Sequence, residues 1–254
     1  MNPTIRNVIL SGVRTREQLV KSAGGVLYLD ARKADGSGLP INSPLTTPWQ
    51  DLSINGNNAT PVNMASTSSS GYNESIAKPG WTLDGVDDRF SLVNTASVDV
   101  TERPLAVFMT VKTPIQTGYL FCKNFESVGE IQYGMYYNSS ANDTVILALN
   151  GVTKGQTATG YLTSGNIYNL GFIWTADGNV KMYINGVQSG NTVAVTDTLT
   201  TRSNVNIGCR GKTGGTQHVF YKGDIHTTTI YSGANCTTAN VLKAEKEISK
   251  QFIS

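Results

Sequence analysis

The sequence predicts an all-β protein built as a sandwich or a barrel of strands, and three observations support this prediction. Segments rich in β-branched and aromatic residues recur at intervals of about 8 to 14 residues. Turn dipeptides lie between them, for example Asn55-Gly56 and Asn185-Gly186. Only 15% of the 254 residues are charged, while glycine contributes 26. Many strands joined by many turns therefore fit better than alternating strands and helices.

The length fits one large domain better than two small ones, because sandwiches of this size commonly form single domains. We expect this domain to span residues 26–254, with residues 1–25 as an N-terminal arm. The domain is long enough to bury a core without a metal ion or disulfide bonds.

The arm contains a short predicted helix. Gln18 follows Thr15 at the spacing of a capping box. Helix-forming residues run over 16–23, and Gly24-Gly25 would end the helix. Two interpretations stay open: the helix packs on the edge of the domain, or the arm docks onto a partner assembly. The second interpretation assigns partner binding to Arg14, Arg16, Leu19 and Val20.

The strands follow in order along the domain. Residues 81–93 predict a strand, a tight turn and a second strand. The Ser-, Gly- and Asn-rich residues 63–80 before them predict a surface loop. Residues 180–187 predict a hairpin whose apolar face carries Val180, Met182 and Ile184. The other predicted strands cover residues 25–31, 105–112, 119–123, 131–137, 144–149, 166–174, 204–209 and 219–231.

The last part of the sequence changes from strand to helix periodicity. Its apolar residues recur at helical spacing with Lys and Glu between them. Thr237 or Thr238 suits the N-cap position. We therefore expect a short amphipathic helix that packs on the sandwich through Val241, Ala244, Ile248 and Phe252.

Charge and hydropathy exclude several classes of partner. The net charge is +2, from 20 basic and 18 acidic residues, and no basic run indicates nucleic-acid binding. No apolar run approaches the roughly 18 residues of a membrane helix. Residues 1–10 hold too short an apolar run for a signal peptide, so we expect folding in a reducing cytoplasm. Three cysteines do not suit a disulfide framework, and Cys122 is expected in the core.

Four motifs in a fixed order resemble the laminin-G-like branch of the concanavalin A-like lectin/glucanase superfamily. They are Trp-x-Asp-Leu-Ser-x-Asn-Gly-Asn-Asn-Ala over 49–59, Leu-Asp-Gly-Val-Asp-Asp over 83–88, the run 175–187 and the run 222–231. The resemblance covers about residues 26–254 and implies two curved antiparallel sheets packed as a jelly roll, here with short N-terminal and C-terminal helices. Some laminin-G-like domains close their C-terminal region with a disulfide, which would here join Cys209 to Cys236, although a reducing compartment disfavours it.

The resemblance implies several functions, because this fold hosts lectins, glycosidases, adhesion modules and phage structural proteins. A domain of this size with an unusual arm looks most like the phage group. We therefore expect a non-catalytic virion structural protein, a capsid decoration or a tail appendage, made in the host cytoplasm and located on the virion surface. Its expected partners are other virion proteins, further copies of itself and host-surface glycans. The alternatives are a secreted carbohydrate-binding or adhesion module and a glycan-cleaving enzyme.

No catalytic residue is predicted. Glycosidases of this superfamily use paired carboxylates along one strand. Glu126 and Glu130 lack the intervening Asp and are separated by a glycine, so we interpret both as loop acids. The two histidines, His218 and His226, are interpreted as satisfied strand residues.

Three aspartates form a candidate calcium site, since Ca²⁺ prefers oxygen ligands. Asp84, Asp87 and Asp88 cluster around Gly85, and laminin-G-like domains often carry one Ca²⁺ at the sandwich rim. Turn formation by these side chains is the favoured alternative, so no cofactor is expected unless the cluster binds Ca²⁺. Asp224 is a weaker candidate.

Candidate glycan contacts lie on the strand 131–137 and just after it. Lectins stack sugars on exposed aromatic rings and bind sugar hydroxyls with Asn and Asp. A core or subunit interface is the alternative for aromatic residues that alternate along a strand. The three tryptophans, Trp49, Trp81 and Trp174, are expected in the core. The candidate glycan-binding residues are Tyr133, Tyr136, Tyr137 and Asn138.

Overall fold

The strands form two antiparallel sheets that face each other across one core, as the sequence predicts. The structure is a computed structural model that describes residues 14–33, 48–73, 78–113, 116–124, 131–201, 204–210 and 219–253. Within these ranges two helices lie outside the sheets, α1 (Arg16–Ser22) and α2 (Thr238–Ser249), and two single 3-10 turns cover Ala31–Lys33 and Ser139–Ala141.

The strands are short and frequent along the described ranges. In chain order they are β1 (Gly25–Asp30), β2 (Ala59–Val62), β3 (Gly71–Asn73), β4 (Gly80–Asp84), β5 (Arg89–Leu92), β6 (Leu105–Lys112), β7 (Gly118–Asn124), β8 (Ile131–Asn138), β9 (Thr144–Leu149), β10 (Val152–Gln156), β11 (Ile167–Trp174), β12 (Asn179–Ile184), β13 (Val187–Gln188), β14 (Val193–Ala194), β15 (Asn204–Ile207), β16 (Cys209–Arg210), β17 (Val219–Phe220) and β18 (Lys222–Ser232).

We call the two sheets sheet A and sheet B. Sheet A has the strand order β13-β12-β11-β6-β18-β4-β3, with β1 also paired to β18 and β14 to β12. Sheet B has the order β10-β9-β8-β7-β15-β5-β2. Strands β16 and β17 form a separate ribbon beside β7. The long strand β18 is central in sheet A because it pairs with β1, β4 and β6.

The predicted hairpin of β12 and β13 is confirmed. Its apolar residues Val180, Met182 and Ile184 all enter the core between the sheets. Asn185 and Gly186 have φ angles of 52° and 77°, the positive values that a two-residue turn of type I′ requires. The local residue pattern was sufficient to predict this element.

Aromatic side chains pack together at one end of the core. Trp49, Trp81 and Phe90 are at most 1% exposed, and their ring centroids lie 4.9 to 6.1 Å apart. Trp174 is buried elsewhere in the same core. The prediction that the three tryptophans are core residues is confirmed.

The segment 81–93 folds differently from a hairpin. Its two strands form, but β4 belongs to sheet A and β5 to sheet B, so the turn over 84–88 carries the chain from one sheet to the other. We call residues 84–88 the corner turn. Residues 63–80, expected to be a loop, contain β3, which pairs with β4. Because this segment is rich in Ser, Gly and Asn, its residue pattern did not indicate the strand of three residues.

Both helices cover the outer face of sheet A. The capping box of Thr15 and Gln18 is confirmed, and Thr237 caps α2 by accepting a hydrogen bond from the Asn240 amide. The apolar face predicted for α2 is confirmed too. The outer-face cluster includes Leu19, Val20, Phe108, Ile173, Tyr231, Val241, Ala244 and Ile248.

This packing corrects the partner-binding assignment within the arm. Leu19 and Val20 are buried against the domain, and Arg16 donates to the Glu247 carbonyl at 3.3 Å. Leu19 and Val20 therefore already pack against the domain and are not exposed to a partner. Arg14 is exposed, and residues 1–13 lie outside the described part of the chain.

Glu245 anchors α2 on sheet A through a buried polar network. Its carboxylate accepts hydrogen bonds from Thr229 Oγ1 at 2.6 Å and from Asn169 Nδ2 at 2.9 Å, and the Tyr231 hydroxyl donates to it as well. Burial raises the pKa of Glu245, and these hydrogen bonds oppose the rise. The carboxylate is thus satisfied although α2 buries it completely.

The three cysteines are free and buried. The disulfide between Cys209 and Cys236 that the resemblance implied is therefore not formed. Burial raises the pKa of both thiols to about 12, so both are protonated and unreactive near neutral pH. No helix in the described ranges is long and apolar enough to cross a bilayer.

Candidate functional site

A groove opens where the edges of the two sheets meet, and we call it the edge groove. It has a volume of about 570 Å³ and is lined by residues 153–159, which run from β10 into the following loop, together with Gly190, Asn191 and Val193. Strand β10 ends the order of sheet B, so its backbone forms one wall. Threonine, glutamine and asparagine supply five of its ten lining residues, and Lys154 is neutralised by Asp197 at 2.8 Å.

Close backbone packing shapes the edge groove. The Ala158 amide donates to Ser189 Oγ at 3.0 Å, which joins the two walls. Gly190 has a φ of +81°, and a Cβ at this position would lie 2.0 Å from the Gln156 carbonyl oxygen. Only glycine permits this approach.

The loop over residues 157–166 leads out of the edge groove and carries an exposed aromatic ring. Tyr161 is 67% exposed, whereas the next residue, Leu162, is 5% exposed and belongs to the core. Backbone hydrogen bonds from Gly160 to the Asn142 carbonyl at 3.4 Å and from Thr163 to the Tyr168 hydroxyl at 3.1 Å fix the loop on both sides. The ring is therefore held outward on an anchored loop.

The sequence did not predict Tyr161 as a site residue, because it lies in a loop outside the predicted strands. Among the large apolar side chains that the structure describes as strongly exposed, it is the aromatic one; the others are Ile54, Val86, Val93, Val152 and Val187. The available signal was a single aromatic residue in a short polar loop between two glycines, Gly160 and Gly165.

A second depression lies on the outer face of sheet A, beyond the end of α2, and we call it the rim pocket. Its volume is about 340 Å³. Lys112 ends β6, while Asp224 and His226 lie two residues apart on β18 and therefore share a face. The other described lining residues are Asn73, Lys78, Gly80 and residues 165–167.

The Asp224 carboxylate is held by a hydrogen bond at one of its two oxygens, and its other oxygen forms a longer ion pair. Thr82 Oγ1 donates to its Oδ1 at 2.6 Å. Lys112 Nζ lies 3.8 Å from its Oδ2, which is too far for a hydrogen bond. The side chains of Asp224 and Lys112 are 22% and 47% exposed, so both groups reach the solvent in the pocket.

His226 forms a rigid, uncharged part of the pocket wall. It is 2% exposed, and its Nδ1 donates to the Pro79 carbonyl, with 2.8 Å between the two atoms. Its ring centroid lies 5.0 Å from that of Phe252. Burial lowers the pKa of His226, against the effect of the Pro79 hydrogen bond, so the imidazole is neutral at pH 7. Nε2 is buried without a hydrogen-bond partner, so only one of its nitrogens is satisfied.

The structure does not assemble the predicted glycan-binding tyrosines. Tyr133 and Tyr137 are buried in the core, where their hydroxyls donate to the Val98 carbonyl and to Asp143. Tyr136 lies on the opposite face of β8, 5.0 Å from the ring of Tyr119. Asn138 accepts from the Ser140 amide at 3.1 Å and so caps a 3-10 turn. The side chains of a strand alternate between its two faces, and every second side chain of β8 enters the core. The four residues therefore do not share one exposed surface.

The predicted calcium cluster does come together. Carboxylate oxygens of Asp84, Asp87 and Asp88 lie within 4.8 Å of one another. Asp88 is buried, and its two oxygens accept from Ser70 Oγ and from the Asp84 amide, each at 2.9 Å. Asp84 Oδ1 accepts from the Val86 amide at 2.7 Å. Burial raises the pKa of Asp88, opposed by its hydrogen bonds.

Three of the six oxygens of this cluster therefore serve the corner turn. Calcium binding there stays a prediction. Asp224 lies in the rim pocket, away from the cluster. Glu126, Glu130 and His218 lie outside the described residues.

No protein-family model and no curated protein matches the chain. Solved structures do match. Trypanosoma rangeli sialidase in complex with sialic acid is 16% identical with a TM-score of 0.58, over 90% of this chain and 33% of the sialidase chain. Domain 4 of AbnA, an extracellular GH43 arabinanase from Geobacillus stearothermophilus solved with arabinotriose, is 16% identical with a TM-score of 0.58, over 87% of this chain and 98% of that domain. The chain thus spans about a third of the sialidases it matches.

These likenesses show the fold, a two-sheet β sandwich. The assignment to the laminin-G-like, phage-related branch of the concanavalin A-like superfamily stays a prediction. The likenesses also correct one expectation. The chain was expected to be no enzyme, yet the chains that share its fold include sialidases and part of an arabinanase. The expectation that the chain is not an enzyme was therefore wrong as an inference from the fold, because enzymes are among the chains that share this fold.

Proposed function

We propose that this chain is a carbohydrate-binding domain that holds a neutral oligosaccharide in the edge groove beside Tyr161. The observation that carries the proposal is the exposed, anchored tyrosine at the end of a groove lined by hydroxyl and amide groups. Thr159 lies in the groove two residues before Tyr161, so their Cα atoms are within about 7 Å. The ring is close enough to contact a ligand that extends from the groove.

The chemistry of the groove suits neutral sugars. Sugar hydroxyls both donate and accept hydrogen bonds, as do the side chains of Thr153, Gln156, Thr159 and Asn191. The pairing of Lys154 with Asp197 leaves no excess charge to favour an ionic ligand. An aromatic face adds apolar contact with the C–H groups of a sugar ring.

The comparisons support the same class of ligand. Domain 4 of the arabinanase matches over 98% of its length and was solved with arabinotriose, and the sialidase was solved with sialic acid. Carbohydrates are thus the ligands named for these matched chains. The virion role expected from the sequence finds no support among them and stays a prediction.

Binding of arabinotriose and of a panel of neutral oligosaccharides, measured by isothermal titration calorimetry, tests the proposal. We expect Tyr161→Ala to weaken binding about fivefold or more, a loss of about 1 kcal/mol, and Tyr161→Phe to retain most of the affinity. Tyr136→Ala, on the outer face of sheet B, is the matched control and should bind like the wild type. Chromatography of each glycan after the titration shows whether it is recovered intact or cleaved.

Two results would contradict the proposal. One is a panel in which no neutral glycan binds. The other is equal affinity of the wild type and Tyr161→Ala for a glycan that does bind.

A further inference from the structure

We infer that the outward surface of the two helices is an interaction surface, and that it binds an anionic lipid bilayer. We call this surface the helix face; it consists of α1, α2, Arg14 and the loop over residues 52–54. The surface is independent of the edge groove, because none of its residues lines that groove. Three features support the inference: the placement of the helices, the charges they expose and an apolar side chain beside them.

The two helices lie side by side and antiparallel on sheet A. Arg16 Nε donates to the Glu247 carbonyl at 3.3 Å, which joins the start of α1 to the end of α2. A Cβ at Gly24 would lie 3.4 Å from the Cys236 amide nitrogen, so the end of α1 lies close to the start of α2. Apolar side chains of both helices pack on the sheet, so their opposite faces point together to solvent. The two ends of the chain thus form one surface.

The fully exposed charges of the helix face all have the same sign. Its two acids at the surface, Glu17 and Glu247, are only partly exposed, and each is held in an ion pair with a lysine. The surface therefore presents cations to an approaching partner. The exposed charged residues are Arg14, Lys21, Lys243, Lys246 and Lys250.

The positive excess remains after all ion pairs are counted. Residues 14–33 and 238–253 together hold eight basic and four acidic residues, a net charge of +4. One of these acids, Glu245, is buried beneath α2. The whole chain carries a net charge of +2, so the rest of the chain carries −2. This asymmetry orients the helix face toward a negatively charged surface.

An exposed apolar side chain borders these cations. Ile54 is 76% exposed, and it lines a small pocket together with Lys21 and its neighbours on α1. The residues on either side hold the loop, because Ser53 Oγ and Asn55 Nδ2 both donate to the Val26 carbonyl, at 3.2 and 3.0 Å. Ile54 is therefore held outward beside α1, where it can enter the headgroup region of a bilayer that the cations attract.

A bilayer fits the helix face better than nucleic acid does. Both helices lie flat on sheet A, so neither protrudes as a helix that enters a major groove does. Bases would have no ring to stack on, because the strongly exposed aromatic side chain of the described residues, Tyr161, lies in the loop beside the edge groove. Cations with one apolar side chain at their border match the combination of attraction and shallow insertion that holds proteins on anionic membranes.

Vesicle co-sedimentation with the full chain tests the inference. We expect vesicles with about 30% phosphatidylglycerol to bind the chain about tenfold more tightly, or more, than pure phosphatidylcholine vesicles do. The binding should weaken as the NaCl concentration rises from about 50 to 300 mM. Equal binding to both kinds of vesicle, or binding to neither, would overturn the inference.

Single lysine substitutions separate the helix face from the net charge of the chain. Lys243→Gln should weaken binding to the anionic vesicles about fivefold, because one contact with the charged surface is lost. Lys222→Gln is the matched control, since it removes an exposed lysine at the start of β18, outside the helix face, and should stay within about twofold of the wild type. Thermal unfolding checks that both variants fold like the wild type. Equal losses in the two variants would contradict a specific surface.

Ile54→Ser distinguishes a bilayer from a soluble polyanion. We expect it to bind the anionic vesicles about fivefold more weakly, because an inserted apolar side chain is lost. A short DNA duplex serves as the soluble polyanion. If the duplex binds as tightly as the vesicles and Ile54→Ser changes neither affinity, the helix face binds nucleic acid and the inference fails.

Tyr161→Ala distinguishes this surface from the proposed function. We expect it to bind the anionic vesicles like the wild type even where it loses neutral glycans. Loss of vesicle binding in Tyr161→Ala would move the lipid contact to the loop beside the edge groove and overturn the inference.

Discussion

The corner turn and the rim pocket both carry aspartates at the rim of the sandwich, but they use them differently. At the corner turn, Asp88 is buried and its oxygens accept hydrogen bonds from Ser70 and from the Asp84 backbone. In the rim pocket, Asp224 is partly exposed and one of its oxygens faces a lysine at 3.8 Å. Asp88, which joins the Ser70 hydroxyl to the Asp84 amide, thus holds the corner turn together, whereas Asp224 is oriented by Thr82 and stays partly exposed in the rim pocket.

The comparison is tested most strongly by Asp88→Ala. The substitution leaves a buried amide and a buried hydroxyl without acceptors, so we expect a loss of about 2–4 kcal/mol in the free energy of unfolding. Urea denaturation followed by circular dichroism measures it. Asp87→Ala, exposed in the same turn, is the control and should stay within about 0.5 kcal/mol of the wild type. Equal losses in both variants would break the comparison.

The next largest effect is the loss of folding stability as the pH is lowered. Burial lowers the folded-state pKa of His226 below its ordinary value of 6.5, so the unfolded chain takes up the proton more readily. The stability is therefore complete above about pH 6.5 and is lost as the pH falls through the folded pKa. His226→Asn should flatten the fall in urea midpoint between about pH 7.5 and 5.5. An unchanged slope would show that folding does not lower the pKa of His226.

A smaller effect is expected for Asp224→Ala. The side chain is 22% exposed and its ion pair with Lys112 is long, so the unfolding free energy should fall by less than about 1 kcal/mol. Urea denaturation of both variants gives the ratio of the two losses in unfolding free energy. A loss as large as that of Asp88→Ala would make Asp224 a structural residue and remove the contrast with the corner turn.

The smallest effect is expected from calcium. Because three of the six oxygens of Asp84, Asp87 and Asp88 already accept hydrogen bonds, about 1 mM CaCl₂ should leave the thermal unfolding midpoint unchanged relative to EDTA. A rise in the midpoint that disappears in Asp87→Asn would instead establish the calcium site. It would also show that one cluster can serve both fold and ligand.

Local patterns predicted the elements that depend on nearby residues. Strands β6 and β9 have the predicted bounds, and Thr15 forms its capping box, because periodicity and capping act within a few residues. The pattern could not tell which face of β8 enters the core. It therefore grouped Tyr133 and Tyr137 with Tyr136, although alternation places them on opposite faces.

The candidate sites depend on distant pairings that no local pattern encodes. Thr82 and Asp224, which meet in the rim pocket, are 142 residues apart in the sequence. The edge groove depends on β10, a short polar strand that gave no strand signal, and on the approach of Gly190 to Gln156. The motifs that carry the family resemblance mark turns and core residues, and so predicted the architecture without the sites.

The central position of β18 has a consequence for synthesis on the ribosome. Its neighbours β1, β4 and β6 are all translated long before it, so sheet A stays divided until residues 222–232 emerge. Until then the edges of these earlier strands are exposed and open to wrong pairing. Long-range pairing of this kind also slows folding. A nascent chain stalled before residue 222 should therefore be sensitive to proteases and bind chaperones, and both properties should decline once β18 has been released.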